Sequence, residues 1–420
     1  KKGFIMDKDY FSERLFFANA SQESFYNYLL DNFPWADKYI YYYVYVIYGL
    51  RDSIIPILES ISEQDRLNYS PQLAYSYLKE YEKRRLNLAV IIPTCNRPKA
   101  IEYLLSYSAV LYRRFGIDII IYDSSEDNKT QQIVDRLILN GYFNVRYQRY
   151  EGEYDGFSLD HKVISAYKEF GDEYTYIWLC RDGLIPIIDE FIEDMRIFSQ
   201  QGIDCVIVDT KSRNKNMELR RFYSTKNDCH QFLLEQSSRL QTLGMLIISN
   251  RLFNKLIKSE PLNDTNYSLW QMAAPFHLFA KDPFPVVYLV KNVFACNMDA
   301  APTHFWSKAE KTLEQWAKNW CNIIMNMPKE YDAVKEKCLM VYTVDFHPFT
   351  ARSVLEMRGW GGMTVRMVSK YKKYIIKVTR TPILYFYIVS IIPRFMTRCI
   401  VRVAVRLPKL SGKVRRLLFS

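Results

Sequence analysis

Apolar positions along the chain alternate between two spacings. Leu88 to Ile92 is a short apolar run that predicts a buried strand, followed by the turn PTCNRP and a helix from about Lys99. The pattern repeats with a strand over Ile117 to Tyr122, a polar turn from Asp123 to Asn128 and a helix from Thr130. Asn144 to Tyr150 is a third short strand. From Ser158 to Phe170 the residues Leu159, Val163, Ile164, Ala166, Tyr167 and Phe170 recur at helical spacing, and Gly171 follows where a helix should end. Tyr174 to Cys180 is then a buried strand stopped by Arg181-Asp182-Gly183. Strands alternating with helices of about 10–15 residues predict an α/β fold with a mostly parallel sheet flanked by helices. The turns after the first, second and fourth strands then share the carboxyl rim, where open α/β sheets place their ligands.

Around this unit the spacing changes. Residues 1–85 show helical periodicity with a heavy aromatic load and read as a helical extension packed on the main domain. The α/β domain occupies 86–310, a helical packing or linker region 311–363, and a basic amphipathic helical tail 364–420. Within the domain, Ile203 to Asp209 reads as a strand, Lys211 to Asp228 as a long basic loop, and Thr242 to Phe253 as strand and helix. Val286 to Trp306 reads as a strand leading into a loop able to fold over a ligand.

Composition sharpens this picture at two points. With 420 residues, 49% hydrophobic and 25% charged, the chain can bury a large core, and disorder is not the expected state. Eight cysteines without a C-x-x-C pair fit a reducing, cytoplasmic setting, and no charged-apolar-small leader opens at Lys1-Lys2-Gly3-Phe4. The net charge of +11 is concentrated: Arg366 to Ser420 holds 14 Lys or Arg and no Asp or Glu. The segment Ile383 to Ile392 between Pro382 and Pro393 is too short to span a bilayer of about 30 Å. Arg394, Arg398, Arg402 and Arg406 then fall four apart, interleaved with Phe395, Met396, Ile400, Val401, Val403 and Leu407. That combination predicts an in-plane anchor on an anionic membrane surface, with helix packing as the alternative. Nucleic acid would not need so much aliphatic surface.

Three motifs in order carry a resemblance. VIIPTCNRP, IIIYDSSED and GFSLDHKVISAYKEFGDEYTYIWLCRDGLIP are similar to the nucleotide-sugar half of family-2-type glycosyltransferases of the GT-A fold, over about Leu88 to Pro186 and more faintly to His304. The resemblance implies inverting transfer of a sugar from a nucleoside diphosphate sugar, UDP-linked, to a hydroxyl of a cell-surface or lipid-linked glycan at the cytoplasmic face of the cell membrane. Pro93, Thr94, Asn96 and Arg97 would lie near the base. Asp123 would accept from its ring N–H, with Ser125 in the same turn. The bland alternative for Asp123 is a turn or N-cap residue.

The departures matter too. Arg181-Asp182-Gly183 stands where the family has two or three carboxylates for ribose and a divalent cation, so Asp182, with His304, is the candidate Mn2+ or Mg2+ site. Lys162 stands where the family has Asn. Arg181, Lys162 or Arg97 would then stabilise the diphosphate leaving group in place of a metal, unless Lys162 is merely a solvated helix face. The best register puts Thr265-Asn266 on the family's Glu-Asp base, so Asp264 is the candidate base and Glu260 the second, with an N-cap role as the alternative for Asp264. A non-catalytic binding or scaffold protein that kept the fold is the reading from another class. An oligomer is compatible with either.

Overall fold

A computed structural model describes residues 31–33, 62–64, 86–139, 142, 144–152, 160–209, 220–259, 269–291, 293–297, 309–346 and 349–406. The extension read over 1–85 therefore lies outside the described residues, apart from two short pieces.

The first strand, β1 (Leu88–Thr94), is wholly buried and central. It pairs in parallel with β2 (Asp118–Asp123) on one side and β4 (Tyr176–Leu179) on the other, and β2 pairs in parallel with β3 (Val145–Arg149). Helices α1 (Pro98–Arg114), α2 (Lys129–Leu139) and α3 (Asp160–Phe170) connect them. This is the predicted alternation, and it sets the three turns on one rim.

Beyond β4 the sheet is mixed. Its full order is β3-β2-β1-β4-β8-β6-β9-β7, where β6 is Cys205–Asp209, β7 Arg220–Tyr223, β8 Leu246–Ser249 and β9 Val286–Val290. β8 runs antiparallel to both β4 and β6, and β7 antiparallel to β9. Two antiparallel reversals restore β6 to the direction of β1, so Asp209 ends on the same rim as Asp123. The basic loop expected over Lys211 to Asp228 is corrected by β7, which lies inside it as an edge strand. Arg220 and Phe222 face out there and Tyr223 faces in, a pairing with β9 that no local pattern announces. A small second sheet joins β5 (Leu184–Pro186) to β10 (Phe294–Cys296) in antiparallel fashion.

Alternate residues of each central strand serve two cores, the arrangement of a sheet covered on both faces. Leu88, Val90 and Ile92 join Ile119, Ile121 and Trp178 on the side of α1 and of α4 (Ile192–Gln200). Ala89 and Ile91 join Ile120, Tyr122, Ile177 and Leu179 on the side of α3, α5 (Cys229–Gln236), α6 (Asn250–Ser259) and α7 (Trp270–Lys281). That second core continues into α8 (Ala309–Leu313), a π-helical turn over Glu314–Asn319, α9 (Trp320–Met325), α10 (Asp332–Phe346) and α11 (Ala351–Gly359). It reaches α12 (Val365–Val378) and α13 (Ile383–Ile391), which bury Val368, Tyr371, Ile375, Phe386 and Val389 in it. The last described helix is α14 (Arg394–Arg406).

Candidate functional site

The parallel register aligns the site. Thr94 pairs with Asp123, and Asp123 with Arg149, so three side chains end adjacent strands in one row. Strands in a sheet lie about 4.8 Å apart, which sets the spacing of that row. On the other side Ile91 pairs with Leu179, so Asp182, three residues past Leu179 as Thr94 is past Ile91, stands level with Thr94. β1 and β4 border the point where the strand order reverses, the place at which open α/β sheets form a ligand crevice. Ile91 O accepts from Cys180 N on the β4 side, and Pro93, two residues on, has no N–H with which to continue that ladder.

Asp123 is fully buried and held by neutral donors. Its Oδ1 accepts from Ser125 N at 2.9 Å and Ser125 Oγ at 2.5 Å, and its Oδ2 from Tyr147 Oη at 3.3 Å. The turn role weighed for Asp123 is thus real, and it leaves Oδ2 with a single long hydrogen bond and spare acceptor capacity. Asn96 closes the PTCNRP turn at φ 55°, a left-handed conformation that Asn tolerates, and its N donates to Ser125 Oγ at 2.7 Å. Its side chain is exposed. The β1 and β2 turns are therefore one hydrogen-bonded unit.

Asp182 joins this unit from the β4 end. Its Oδ2 accepts from Thr94 Oγ1 at 3.0 Å and its Oδ1 from Arg97 Nη1 at 2.9 Å. Arg181 is exposed beside it. Lys162 lies beneath. The solvated-face alternative is overturned, because α3 turns Val163, Ala166, Tyr167 and Phe170 onto the sheet and carries Lys162 inward at its rim end, where it is buried. Its Nζ donates to Thr94 O at 2.7 Å and Ser124 Oγ at 2.9 Å, and it faces the rings of Tyr122 and Tyr150. Burial pulls its pKa down from 10.5 to about 8, while the charges of Asp123, Cys95 and Asp182 hold it up in part. It remains mainly an ammonium at neutral pH.

Three contributors escape sequence reasoning. Asn297, on the strand return after β10, is buried and donates through Nδ2 to Ala100 O at 2.7 Å and Asp182 O at 2.8 Å. Tyr147 and Arg149 alternate along β3 toward the rim. Arg149 hydrogen-bonds the Ser125 carbonyl and, through Nη2, Asn128 Oδ1 at 2.7 Å, closing the β2 turn from outside. The two-residue spacing of Tyr147 and Arg149 was the available signal; for Asn297 there was none.

Glu260, Asp264 and His304 lie outside the described residues. No group of three His, Cys, Asp or Glu able to hold a metal occurs among the described residues. Asp182 is the one candidate metal ligand that is described, and a cation there would have to compete with Arg97 for Oδ1.

No protein-family model matches the sequence, and comparison with curated proteins returns no match. Solved structures with a similar course of chain include a mannosyltransferase and a glucosyl-3-phosphoglycerate synthase. Residues 1–349 of S. aureus TarS align at 13% identity and a TM-score of 0.43, covering 78% of this chain and 93% of that one. The same TarS piece has been solved with UDP-GlcNAc. The mannosyltransferase PcManGT from Pyrobaculum calidifontis, solved with GDP-Man and Mn2+, aligns at 12% identity and 0.39, covering 77% of this chain and 94% of that one. Glucosyl-3-phosphoglycerate synthase from Mycobacterium tuberculosis, solved with Mg2+ and UDP, aligns at 16% and 0.33, covering 52% and 75%. The chemistry of this chain's site rests on its own residues.

Proposed function

We propose that the chain is a nucleotide-sugar-dependent glycosyltransferase whose donor lies across the carboxyl ends of β1, β2 and β4. The observation that carries this reading is Asp123: a buried carboxylate ending a central strand, fixed by an amide and two hydroxyls, with acceptor capacity left on Oδ2. An imide N–H, such as that of a uracil ring, needs a rigid acceptor of this kind. Its charge is left uncancelled by any direct cationic partner in the described contacts, which favours a donating ligand over a resident one.

The remaining roles follow from position. Thr94 and Asp182 border the crevice, and Arg97, aimed by Asp182, presents a guanidinium where a diphosphate would emerge. Lys162 works from below, binding the β1 and β2 turns together and adding positive potential under the leaving group. A divalent cation would supply further neutralisation of the diphosphate when bound; Asp182 and, from the sequence, His304 are the residues that would hold it. Inverting transfer needs a base on the acceptor hydroxyl, and we assign it to Asp264, then Glu260. The acceptor is a glycan hydroxyl, lipid-linked or at the cell surface, reached from the cytoplasmic face of a membrane on which the basic tail rests.

Calorimetry with UDP and UDP-sugars tests the reading. Asp123→Ala should weaken binding by about 1.5–3 kcal/mol, the worth of a hydrogen bond to a charged group. Because the same change orphans Ser125 and Tyr147, Asp123→Asn is measured beside it: it keeps the turn acceptor but not the charge. Unchanged affinity in both variants removes Asp123 from a donor site.

A further inference from the structure

The last two described helices each bury one side and leave large apolar residues on the other. α13 places Phe386, Val389 and Ser390 inward, and Tyr385 Oη donates to Ala351 O at 2.8 Å. α14 is pinned to α11 by buried Thr397 and by Arg398, whose Nε donates to Gly359 O at 2.6 Å. Between the two helices Ile392 and Pro393 turn the chain through 113°. Arg358 Nε donates to Ile392 O at 2.9 Å and so fixes the corner from inside.

The outer surface of this elbow is what needs an account. Leu384, Ile388 and Ile391 recur along one face of α13, and Phe395, Met396 and Ile400 project from α14. Ile391 is 70% exposed and Phe395 68%, so the two apolar residues that flank the corner are the most exposed of the set, with Leu384 at 65% on the far end of α13. Single exposed apolar residues are ordinary, but six flanking one corner are a patch with a purpose.

Charge says what covers it. The residues from Arg366 onward hold 14 Lys or Arg and no acid. Arg358, Arg394 and Arg398 converge near the corner. Burial and the neighbouring Arg394 charge both lower the Arg358 pKa, so these two guanidiniums crowd one another, while Arg398 lies over the Trp360 ring beside them. Crowded cations beside an apolar corner match phosphate headgroups above an acyl layer. Another copy of this chain would bring like charge to the same place.

The geometry also decides the depth. No single described helix is long and apolar enough to cross a membrane, although α13 and the first part of α14 pass such a test together despite the bend. Arms of 9 and 13 residues meeting at 113° are each shorter than the roughly 20 residues a span needs.

We propose that the α13–α14 elbow is the surface on which the protein lies on an anionic lipid bilayer, with Ile391 and Phe395 entering the acyl boundary and the arginines meeting headgroup phosphates. This deepens the tail reading given above and is independent of the donor site. It also moves the contact. Val401, part of the lipid-facing set expected from sequence, packs partly buried against the core, and the corner takes its place.

Sedimentation of the full chain with vesicles tests it. Phosphatidylglycerol–phosphatidylcholine vesicles at low salt should bind the protein, and pure phosphatidylcholine should bind it at least tenfold less. Ile391→Glu with Phe395→Glu should lower binding to anionic vesicles at least tenfold, whereas Leu139→Glu, at an 86% exposed apolar position on α2, should bind like the parent. Phe395→Trp should be quenched by brominated acyl chains. Calorimetric titration with UDP on the double variant separates this proposal from the donor reading, since nucleotide affinity should not change. The proposal is overturned if the parent ignores anionic vesicles, if the double variant binds as well as the parent, or if the patch proves to hold a lipid-free dimer that the double variant dissolves.

Discussion

The two halves of the carboxyl rim treat their buried acids differently. On the half built by β6, β7 and β9, each buried acid meets a cation directly. Asp209 at the end of β6 accepts from Arg239 Nε at 2.9 Å and Tyr288 Oη at 3.2 Å. Asp194 takes both Arg220 and Lys291, and the half-buried Glu235 takes Arg221 together with Tyr223. On the half built by β1, β2 and β4, Asp123 meets only neutral donors, and the nearest ammonium, Lys162, spends its hydrogen bonds on Thr94 and Ser124. Acids cancelled by a resident cation hold a fold together. An acid held in place by neutral groups keeps its charge for a visitor. Asp182 stands between the two kinds, with one oxygen on a hydroxyl and one on Arg97.

The comparison breaks most visibly at Asp209. Its ion pair with Arg239 is largely buried, and removing one partner of a buried pair leaves an uncompensated charge, a loss of about 3–5 kcal/mol. Asp209→Asn should therefore lower the denaturation midpoint strongly in urea unfolding while nucleotide affinity of the remaining folded protein stays put. A variant that unfolds normally but binds donor poorly would place Asp209 in the site and erase the contrast.

Asp182 should give a smaller effect of the other kind. Asp182→Asn keeps an acceptor for Thr94 but loses the charge that aims Arg97, so donor affinity should fall by about 1.5–3 kcal/mol with little change in stability. The titration repeated in EDTA sharpens it. An affinity loss that EDTA reproduces in the parent and cannot deepen in the variant would assign Asp182 to a cation rather than to Arg97.

The smallest effect is expected at Lys162, and it depends on pH. The folded pKa, about 8, lies below the ordinary 10.5. Below about pH 8 both folded and unfolded states are protonated and the burial penalty is fully present. Between about 8 and 10.5 the unfolded chain binds more protons, so this group's contribution to stability rises with pH. Donor affinity should move the opposite way, falling as the ammonium under the site is lost. Lys162→Met should weaken nucleotide binding about tenfold at pH 7, or about 1.4 kcal/mol, and flatten both trends. Parallel pH profiles for parent and variant would show that Lys162 contributes no field to the donor.

Sequence by itself determined the repeating units. Strand runs ending in PTCNRP, YDSSED and CRDG, and helices closing at Gly171 or opening at about Lys99, are local patterns, because hydrophobic period and turn chemistry act over a few residues. Parallel connection rules then place those turns on one rim. Tertiary structure alone decided the rest. The register that ranks Thr94, Asp123 and Arg149 in a row, the antiparallel entry of β8 and the edge pairing of β7 depend on partners far along the chain. Lys162 reads the same from sequence on a wet face or a dry one, and only packing against β1 and β2 made it a buried cation. Asn297 braces Asp182 across 115 residues, a separation over which no periodicity carries information. Which side of α13 and α14 stays bare was likewise settled by where α11 came to rest, since an amphipathic pattern fixes a helix's faces but not the neighbour that claims one of them.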